Sequence, residues 1–341
     1  MDQMTPTKTL FILTLISGTL MSVSASSWFG VWMGLEINLL SFIPIMSSKK
    51  NQRSAEAMLN YFLIQAFGSI ILLLSAISLS LNTSMMYSNE LSNLFLMMMT
   101  SSILLKMGAA PFQFWFPKVM EGLEWITSII LMTIQKLGPL TLLFYNMMST
   151  KHMIMMSTLL SALIGALGGL NQTSLRKILA YSSINHLSWM MISMPISDNL
   201  WFSYFMLYVL LSTSVALIFL TMQMFHMNQI QDLLKNSNIN KMMISVNLLS
   251  LGGLPPFLGF LPKWMVIQNI DQNNMMLMLF LVTMSLITLF YYLRIMFISM
   301  TLSAESKKWA SPKKIKNNIL IIFTVLSLML LPASPFIIWM M

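Results

Sequence analysis

The sequence predicts an all-α membrane protein that crosses the bilayer many times. Hydrophobic residues make up 57% of its 341 residues and charged residues only 9%, whereas a soluble globular domain is about 25% charged. The apolar residues form separate runs of about 20, the length that a helix needs to span a bilayer. The loops between the runs are short, so we expect a single transmembrane domain over residues 1–341.

We predict about eleven transmembrane helices. No long alternation of apolar and polar residues, which would indicate β-strands, interrupts the apolar runs. Lys8, the apolar run after it and the small residues 22–27 also resemble a signal peptide, but we interpret this segment as the first membrane helix. The predicted segments are roughly 8–25, 28–46, 57–81, 92–117, 124–148, 152–171, 177–195, 200–226, 241–269, 275–300 and 318–341.

The basic residues indicate how the chain is oriented. Loops on the inner side of a membrane carry an excess of Lys and Arg. If the N-terminus is inside, fourteen of the nineteen basic residues are inside and Lys151 alone lies in an outside loop. The inside residues are Lys8, Lys49, Lys50, Arg53, Lys118, Arg176, Lys177, Lys235, Lys241, Lys307, Lys308, Lys313, Lys314 and Lys316.

The composition also predicts a compartment and excludes several kinds of site. The 38 methionines and the absence of cysteine are typical of an A/T-rich animal mitochondrial gene, in which AUA encodes Met. The protein is therefore expected in the mitochondrial inner membrane, with its N-terminus in the matrix. A chain without Cys ligates no iron–sulfur cluster and no thiolate zinc, and it has no nucleotide-binding glycine motif. The basic residues are scattered in short clusters, which argues against nucleic acid as a partner.

Four charged side chains lie well inside the predicted segments: Glu36, Lys106, Lys136 and Lys263. A charge at membrane depth is costly and usually functional, and a buried amine can exchange its proton in the physiological pH range. Two charges ~8 Å apart at an effective dielectric of ~20 interact by ~2 kcal/mol. Protonation of one group therefore changes the proton affinity of its neighbour. The alternative is a structural Glu–Lys pair, which accounts for Glu36 and one lysine. Arg294, near the inner end of its segment, is expected to reach the interface.

Two of the segments contain residues that interrupt helices. Gly108 and Pro111 follow Lys106, and Gly252–Gly253 precede Pro255–Pro256. Proline removes an amide donor and clashes with the preceding turn, so we predict broken helices around 107–111 and 252–256. Broken helices in both halves of a membrane protein favour an ion site between inverted repeats; the alternative is a pair of simple proline kinks.

His186 is a further candidate. It follows Ser182, Ser183 and Asn185 on the first turns of the seventh segment. A proton role and a structural role for this histidine are both open at this point.

Five stretches of the chain, spread over most of its length, resemble the subunit 2 family of mitochondrial NADH dehydrogenase. This is a family of antiporter-like membrane subunits of respiratory complex I. The Met-rich composition and the length are most similar to arthropod members. The stretches are Trp32–Asn38, Leu104–Phe112, Gln135–Pro139, Asn171–Lys177 and Gly252–Phe257.

The resemblance implies two inverted five-helix repeats, each with a broken helix. It also implies eleven helices, because animal members lack three N-terminal helices of the wider family. The family's key glutamate falls on Glu36 and its lysines on Lys106, Lys136 and Lys263, and its histidine falls on His186. One departure is Gln113, where relatives often carry His, so a proton step there would need water or another residue.

The function implied is a proton-translocating subunit of NADH:ubiquinone reductase. The redox chemistry, with NADH, flavin, iron–sulfur clusters and ubiquinone, is expected in partner subunits, and no cofactor is expected in this chain. The expected partners are other membrane-arm subunits, phospholipids, protons and water. Two rivals are a free-standing cation/proton antiporter and a purely structural scaffold.

Overall fold

The computed structural model describes residues 6–47, 51–85, 89–233, 238–270 and 275–300, where every regular element is an α-helix. The chain divides into two compact units, residues 1–161 and 162–341. The helices are α1 (Pro6–Ser24), α2 (Trp28–Met46), α3 (Gln52–Met85), α4 (Asn89–Met107), α5 (Trp115–Gly122), α6 (Trp125–Met132), α7 (Ile134–Asn146), α8 (Lys151–Leu170), α9 (Leu175–Ser193), α10 (Asp198–Met222), α11 (Met227–Leu233), α12 (Asn238–Gly252), α13 (Phe260–Asn269) and α14 (Met275–Met300).

The predicted apolar segments coincide with these helices, and the prediction of an all-helical chain is confirmed for the described residues. Helices α2 and α14 have the predicted bounds. The short helix α11 was not predicted, and segment 318–341 lies outside the described residues. Among the described residues, seven helices are long and apolar enough to cross a membrane, if α6 and α7 are taken together as one span.

In the first unit, glycines bring α1 and α2 into close contact. A Cβ added at Gly34 would lie 2.6 Å from the Ser22 backbone nitrogen, and one at Gly18 would lie 3.0 Å from the backbone nitrogen of Asn38. On α7, a Cβ at Gly138 would lie 3.1 Å from the Ser22 hydroxyl. Such small-residue contacts let helix backbones approach closely in a membrane, and here they set the position of α2, which carries Glu36.

The break after α4 has a defined hydrogen-bonding pattern. The Gly108 amide donates to the Leu105 carbonyl at 3.1 Å, and the Ala109 amide donates to the Leu104 carbonyl at 3.1 Å. With Gly108 at φ 71, this is a Schellman termination, in which glycine supplies the left-handed residue. Pro111 follows, preceded by a cis peptide bond, and the chain becomes helical again at α5.

The break after α12 repeats this pattern. The Gly253 amide donates to Ser250 at 3.0 Å, and the Leu254 amide donates to Leu249 at 3.4 Å. Gly253 has φ 77, and the peptide bond before Pro256 is also cis. Both predicted interruptions, around 107–111 and 252–256, are therefore real ends of helices rather than simple kinks.

The sequences of the two breaks correspond residue by residue. Each runs from the left-handed glycine through a Pro–Phe pair to a second proline and a lysine, at identical spacing. The corresponding residues are Gly108 and Gly253, Pro111 and Pro256, Phe112 and Phe257, Pro117 and Pro262, and Lys118 and Lys263.

A third interruption, which the sequence analysis missed, separates α6 from α7 at Thr133. This residue has φ −114 and ψ −79, and its amide is shared between the carbonyls of Ile129 and Ile130. The available signal was Pro139, whose missing amide and bulky ring prevent a regular helical bond to the Gln135 carbonyl. The fifth predicted segment is therefore two helices.

In the second unit, α9 is buried along most of its length. A Cβ at Gly165 would lie 2.7 Å from the Asn185 backbone nitrogen, so α8 and α9 are in close contact. Arg294 does not simply extend to the interface as expected. Its guanidinium donates to the carbonyls of Leu170 at 2.8 Å and Gln172 at 2.5 Å, where α8 ends with unsatisfied carbonyls.

The contact between the ends of α12 and α13 yields a testable prediction. A Cβ at Gly259 would lie 1.7 Å from the Ser250 carbonyl oxygen, so Gly259→Ala forces the two half-helices apart. We expect a loss of about 3 kcal/mol of stability, measured as less assembled protein and a lower thermal unfolding midpoint.

The control variant is Gly252→Ala, since its added Cβ would meet the side chains of Tyr292 at 3.4 Å and Leu289 at 3.8 Å, both ordinary contacts. Equal stability of the two variants would contradict the close packing described for Gly259.

Candidate functional site

Glu36 lies on α2 in the first unit and is half-buried. Its Oε2 atom is buried and accepts no hydrogen bond from any described residue. Glu36 interacts electrostatically with Lys106, but the two do not form a direct ion pair. A carboxylate oxygen in this setting is costly unless something else satisfies it, so Oε2 has the capacity to accept a hydrogen bond.

Lys106 is buried at the end of α4, immediately before the first break. Neutral side chains donate to the last carbonyls of α4. The Trp115 indole Nε1 donates to the Leu105 carbonyl at 3.1 Å, and the Gln65 Nε2 donates to the Lys106 carbonyl at 3.2 Å. The Lys106 ammonium is therefore not used as a cap for the broken helix.

Lys136 is 2% exposed and lies three residues after the Thr133 interruption. Its Nζ is 4.9 Å from the centroid of the Phe116 ring, a distance at which an aromatic face attracts a cation. Phe116 belongs to α5, so the second half of the first broken helix contacts the lysine of the next span.

A hydrogen-bonded group of neutral side chains surrounds these two lysines. Gln135 Nε2 donates to Asn38 Oδ1 at 2.9 Å, and the Tyr61 hydroxyl donates to Gln135 Oε1 at 3.2 Å. All three side chains are buried. They border a cavity of about 20 Å³ whose polar lining is Asn38, Tyr61, Gln65, Lys106, Gln135 and Lys136.

In the second unit, Lys263 is buried on α13, just after the second break. Its Nζ donates to the Gly252 carbonyl at 2.9 Å and lies 5.9 Å from the centroid of the Trp189 ring. A Cβ at Gly253 would come within 3.0 Å of Nζ. The ammonium thus occupies the C-terminal end of α12, where the helix dipole favours a cation.

His186 is also buried in the second unit, on α9. Its Nδ1 is 3.1 Å from the Tyr204 hydroxyl, and its ring is 5.2 Å from that of Tyr208. Tyr291 and Tyr292 form a further buried pair with ring centroids 4.8 Å apart. His186 is therefore part of an aromatic, hydroxyl-rich interior, which fits both a structural and a proton-exchanging role.

Lys118 and Lys263 occupy corresponding sequence positions after the two breaks, yet their environments differ. Lys118 is exposed on α5, whereas Lys263 is buried. Conversely, the position of Lys106 corresponds to Leu251. Each broken helix therefore has one buried lysine, but it precedes the break in the first unit and follows it in the second.

The structure brings Glu36, Lys106 and Lys136 together in the first unit. In the second unit, His186 of α9 contacts Tyr204 of α10, and Lys263 contacts Trp189 of α9. Gln113 is buried, and its Oε1 accepts no hydrogen bond from a described residue.

Sequence reasoning missed the neutral members Asn38, Tyr61, Gln65 and Gln135. Their only sequence signal was that they are polar residues inside apolar segments. Within the described ranges, no three His, Asp or Glu side chains cluster as metal ligands.

Comparison with known proteins gives three findings. The model of the family described as "NADH:quinone oxidoreductase/Mrp antiporter, TM" matches residues 25–288. The NADH-ubiquinone oxidoreductase chain 2 of Anopheles gambiae is 50% identical over 327 residues, which cover 94% of each chain.

Two solved structures have a similar fold. A chain of the respiratory complex I from Thermus thermophilus with bound aureothin gives a TM-score of 0.81 at 20% identity, over 96% of this chain and 80% of that chain. A chain of the Mrp complex from a Dietzia species gives 0.79 at 13% identity, over 96% and 75%. At these identities the two structures support the fold alone.

The indole cap of the first break yields a second prediction. In Trp115→Phe the Leu105 carbonyl keeps the Gly108 amide as a donor but loses the indole, so we expect a loss of about 0.5–1.5 kcal/mol, measured as a lower thermal unfolding midpoint of the purified protein.

Trp32→Phe is the control, because the Trp32 Nε1 has no hydrogen-bond partner among the described residues. If both substitutions lowered the midpoint equally, the loss would reflect ring size and not the cap.

Proposed function

Since the chain belongs to the NADH-ubiquinone oxidoreductase chain 2 family, within the NADH:quinone oxidoreductase/Mrp antiporter membrane proteins, we propose that it is a proton-translocating membrane-arm subunit of respiratory complex I. It acts in the mitochondrial inner membrane as one subunit of an NADH:ubiquinone reductase. Electron transfer takes place in partner subunits, and this chain carries no redox centre of its own.

The observation that carries this proposal is the placement of the three buried lysines. Lys106, Lys136 and Lys263 each lie beside an interruption in a helix, and each is nearly inaccessible to solvent. Glu36 lies within electrostatic reach of Lys106, and aromatic rings lie beside Lys136 and Lys263. Buried amines next to polar, non-helical backbone are suited to gaining and losing protons.

In the proposed mechanism, Glu36 and Lys106 are a coupled pair. Charge changes that accompany quinone reduction in partner subunits alter the charge at Glu36, and Lys106 responds through its interaction with that carboxylate. Lys136 holds or relays the proton. In the second unit, His186 takes part in proton exchange and Lys263 exchanges the proton with one side of the membrane.

The overall layout proposed is one antiporter-like domain of about eleven membrane helices with the N-terminus in the matrix. The matching breaks after α4 and α12, with their common Gly–Pro–Phe–Pro–Lys spacing, support two structurally related five-helix repeats. The distribution of basic residues supports the orientation.

The role of Lys136 can be tested in the assembled complex. Lys136→Met removes the proton-carrying group but keeps an unbranched apolar stem. We expect proton translocation to fall by about tenfold or more, measured in vesicles as proton uptake per NADH oxidised.

Lys151→Met is the matched control, because Lys151 is exposed at the start of α8. Unchanged translocation in assembled Lys136→Met complex would favour the purely structural scaffold instead.

A free-standing cation/proton antiporter is the second candidate, favoured by the family description and the fold shared with an Mrp complex. Purification in mild detergent distinguishes the two. We expect this chain to co-purify with subunits that carry flavin and iron–sulfur clusters, detected by their absorbance. Isolation of the chain without them, in active form, would support the antiporter.

A further inference from the structure

The cavity lined by Lys106 and Lys136 is also lined by neutral side chains that retain unused hydrogen-bond acceptors. Tyr61 donates its only hydroxyl proton to Gln135 Oε1, so its oxygen lone pairs stay available. Gln65 commits an amide hydrogen to the Lys106 carbonyl, and its own carboxamide oxygen accepts no hydrogen bond from a described residue. Two hydrogen-bond acceptors therefore lie beside two ammonium groups.

The orientation of these acceptors is determined by the Asn38–Gln135–Tyr61 chain. Asn38 Oδ1 accepts from Gln135 Nε2 at 2.9 Å, which turns the Gln135 oxygen toward Tyr61. That oxygen then takes the Tyr61 proton. These side chains come from α2, α7 and α3 respectively, so the chain also links three helices at the depth of the two lysines.

The size of the cavity fits water. Its volume of about 20 Å³ exceeds the roughly 10–15 Å³ that one water molecule needs, and a buried water typically has 2–4 polar partners. The lining supplies that number. A metal cation is unsuited to the site because two lysine ammonium groups would repel it.

Resting on the proposed function, we propose that Tyr61 and Gln135 are positioning residues that hold a water molecule between Lys106 and Lys136, through which a proton passes from one lysine to the other. The water accepts a proton from one ammonium as that N–H bond breaks, and it gives a different proton to the other, neutral amine. Neither Tyr61 nor Gln135 changes its own protonation state. Charge and atoms balance, and no further reactant is needed.

Tyr61→Phe is the sharpest test, because it removes the hydroxyl and keeps the ring. The Tyr61 ring centroid lies 5.2 Å from that of Phe42 and 5.9 Å from that of Trp115, so the variant retains its packing. We expect assembled complex with proton translocation slowed about three- to tenfold, the effect of losing one hydrogen bond to the water. Gln135→Met, which removes the group that orients Tyr61, is expected to have a similar effect.

Tyr145→Phe is the control, since Tyr145 lies in the same unit and is 64% exposed. Two readouts separate positioning from mere stability: a high-resolution map of the complex, and the effect of D₂O on the translocation rate. We expect water density in the cavity of the wild type and none in Tyr61→Phe, together with a changed isotope effect.

The outcomes distinguish this inference from the proposed function. An empty cavity in the wild-type map, or Tyr61→Phe and Gln135→Met complexes with wild-type rates while Lys136→Met is inactive, would overturn the water site alone. If Lys136→Met also translocated protons normally, the proposed function itself would fail.

Discussion

A helix that ends within a membrane leaves backbone carbonyls that water does not reach, and the protein must satisfy them itself. The breaks after α4 and α12 meet this constraint with the same Schellman turn, built on Gly108 and Gly253. The side chains that add further donors at the two helix ends differ. They are Trp115 and Gln65 in the first unit and Lys263 in the second. This difference accounts for the different contacts of the Lys106 and Lys263 side chains.

Because neutral donors cap α4, the Lys106 ammonium is left to interact with Glu36 and with the cavity. Lys263 is in the opposite situation, since its ammonium is held by the Gly252 carbonyl and by the dipole of α12. The Lys263 amine donates to the backbone of its break, and the Lys106 amine does not. Under the proposed function this makes Lys106 the more responsive group and Lys263 the more firmly held one.

The parts that sequence predicted well are those set by local chemistry. Long apolar runs predicted the bounds of α2 and α14, and glycine with proline predicted both breaks. The break at Thr133 was missed because it lies in a segment that reads as one apolar run, and the nearest proline, Pro139, is six residues downstream, inside α7. The group around Tyr61 and Gln135 was missed for another reason: Asn38 and Gln135 are separated by 97 positions in sequence, and neutral polar residues lack the cost that marks a buried charge. The corresponding positions of Lys118 and Lys263 can be read from the sequence. The sequence does not predict that Lys263 is buried and Lys118 is exposed.

The neutral lining of the first cavity has a physical rationale that follows from the lysines themselves. A carboxylate placed between Lys106 and Lys136 would form a tight buried ion pair with one of them. Such a pair is hard to break, because removing one charge leaves the other buried without a compensating charge. Phenol and carboxamide groups offer water a full set of hydrogen bonds without fixing a charge. On the proposed role, neutral side chains around the cavity let the proton distribution between the two lysines respond to the Glu36 carboxylate, which lies outside the cavity lining. An added acid in the cavity would prevent that response.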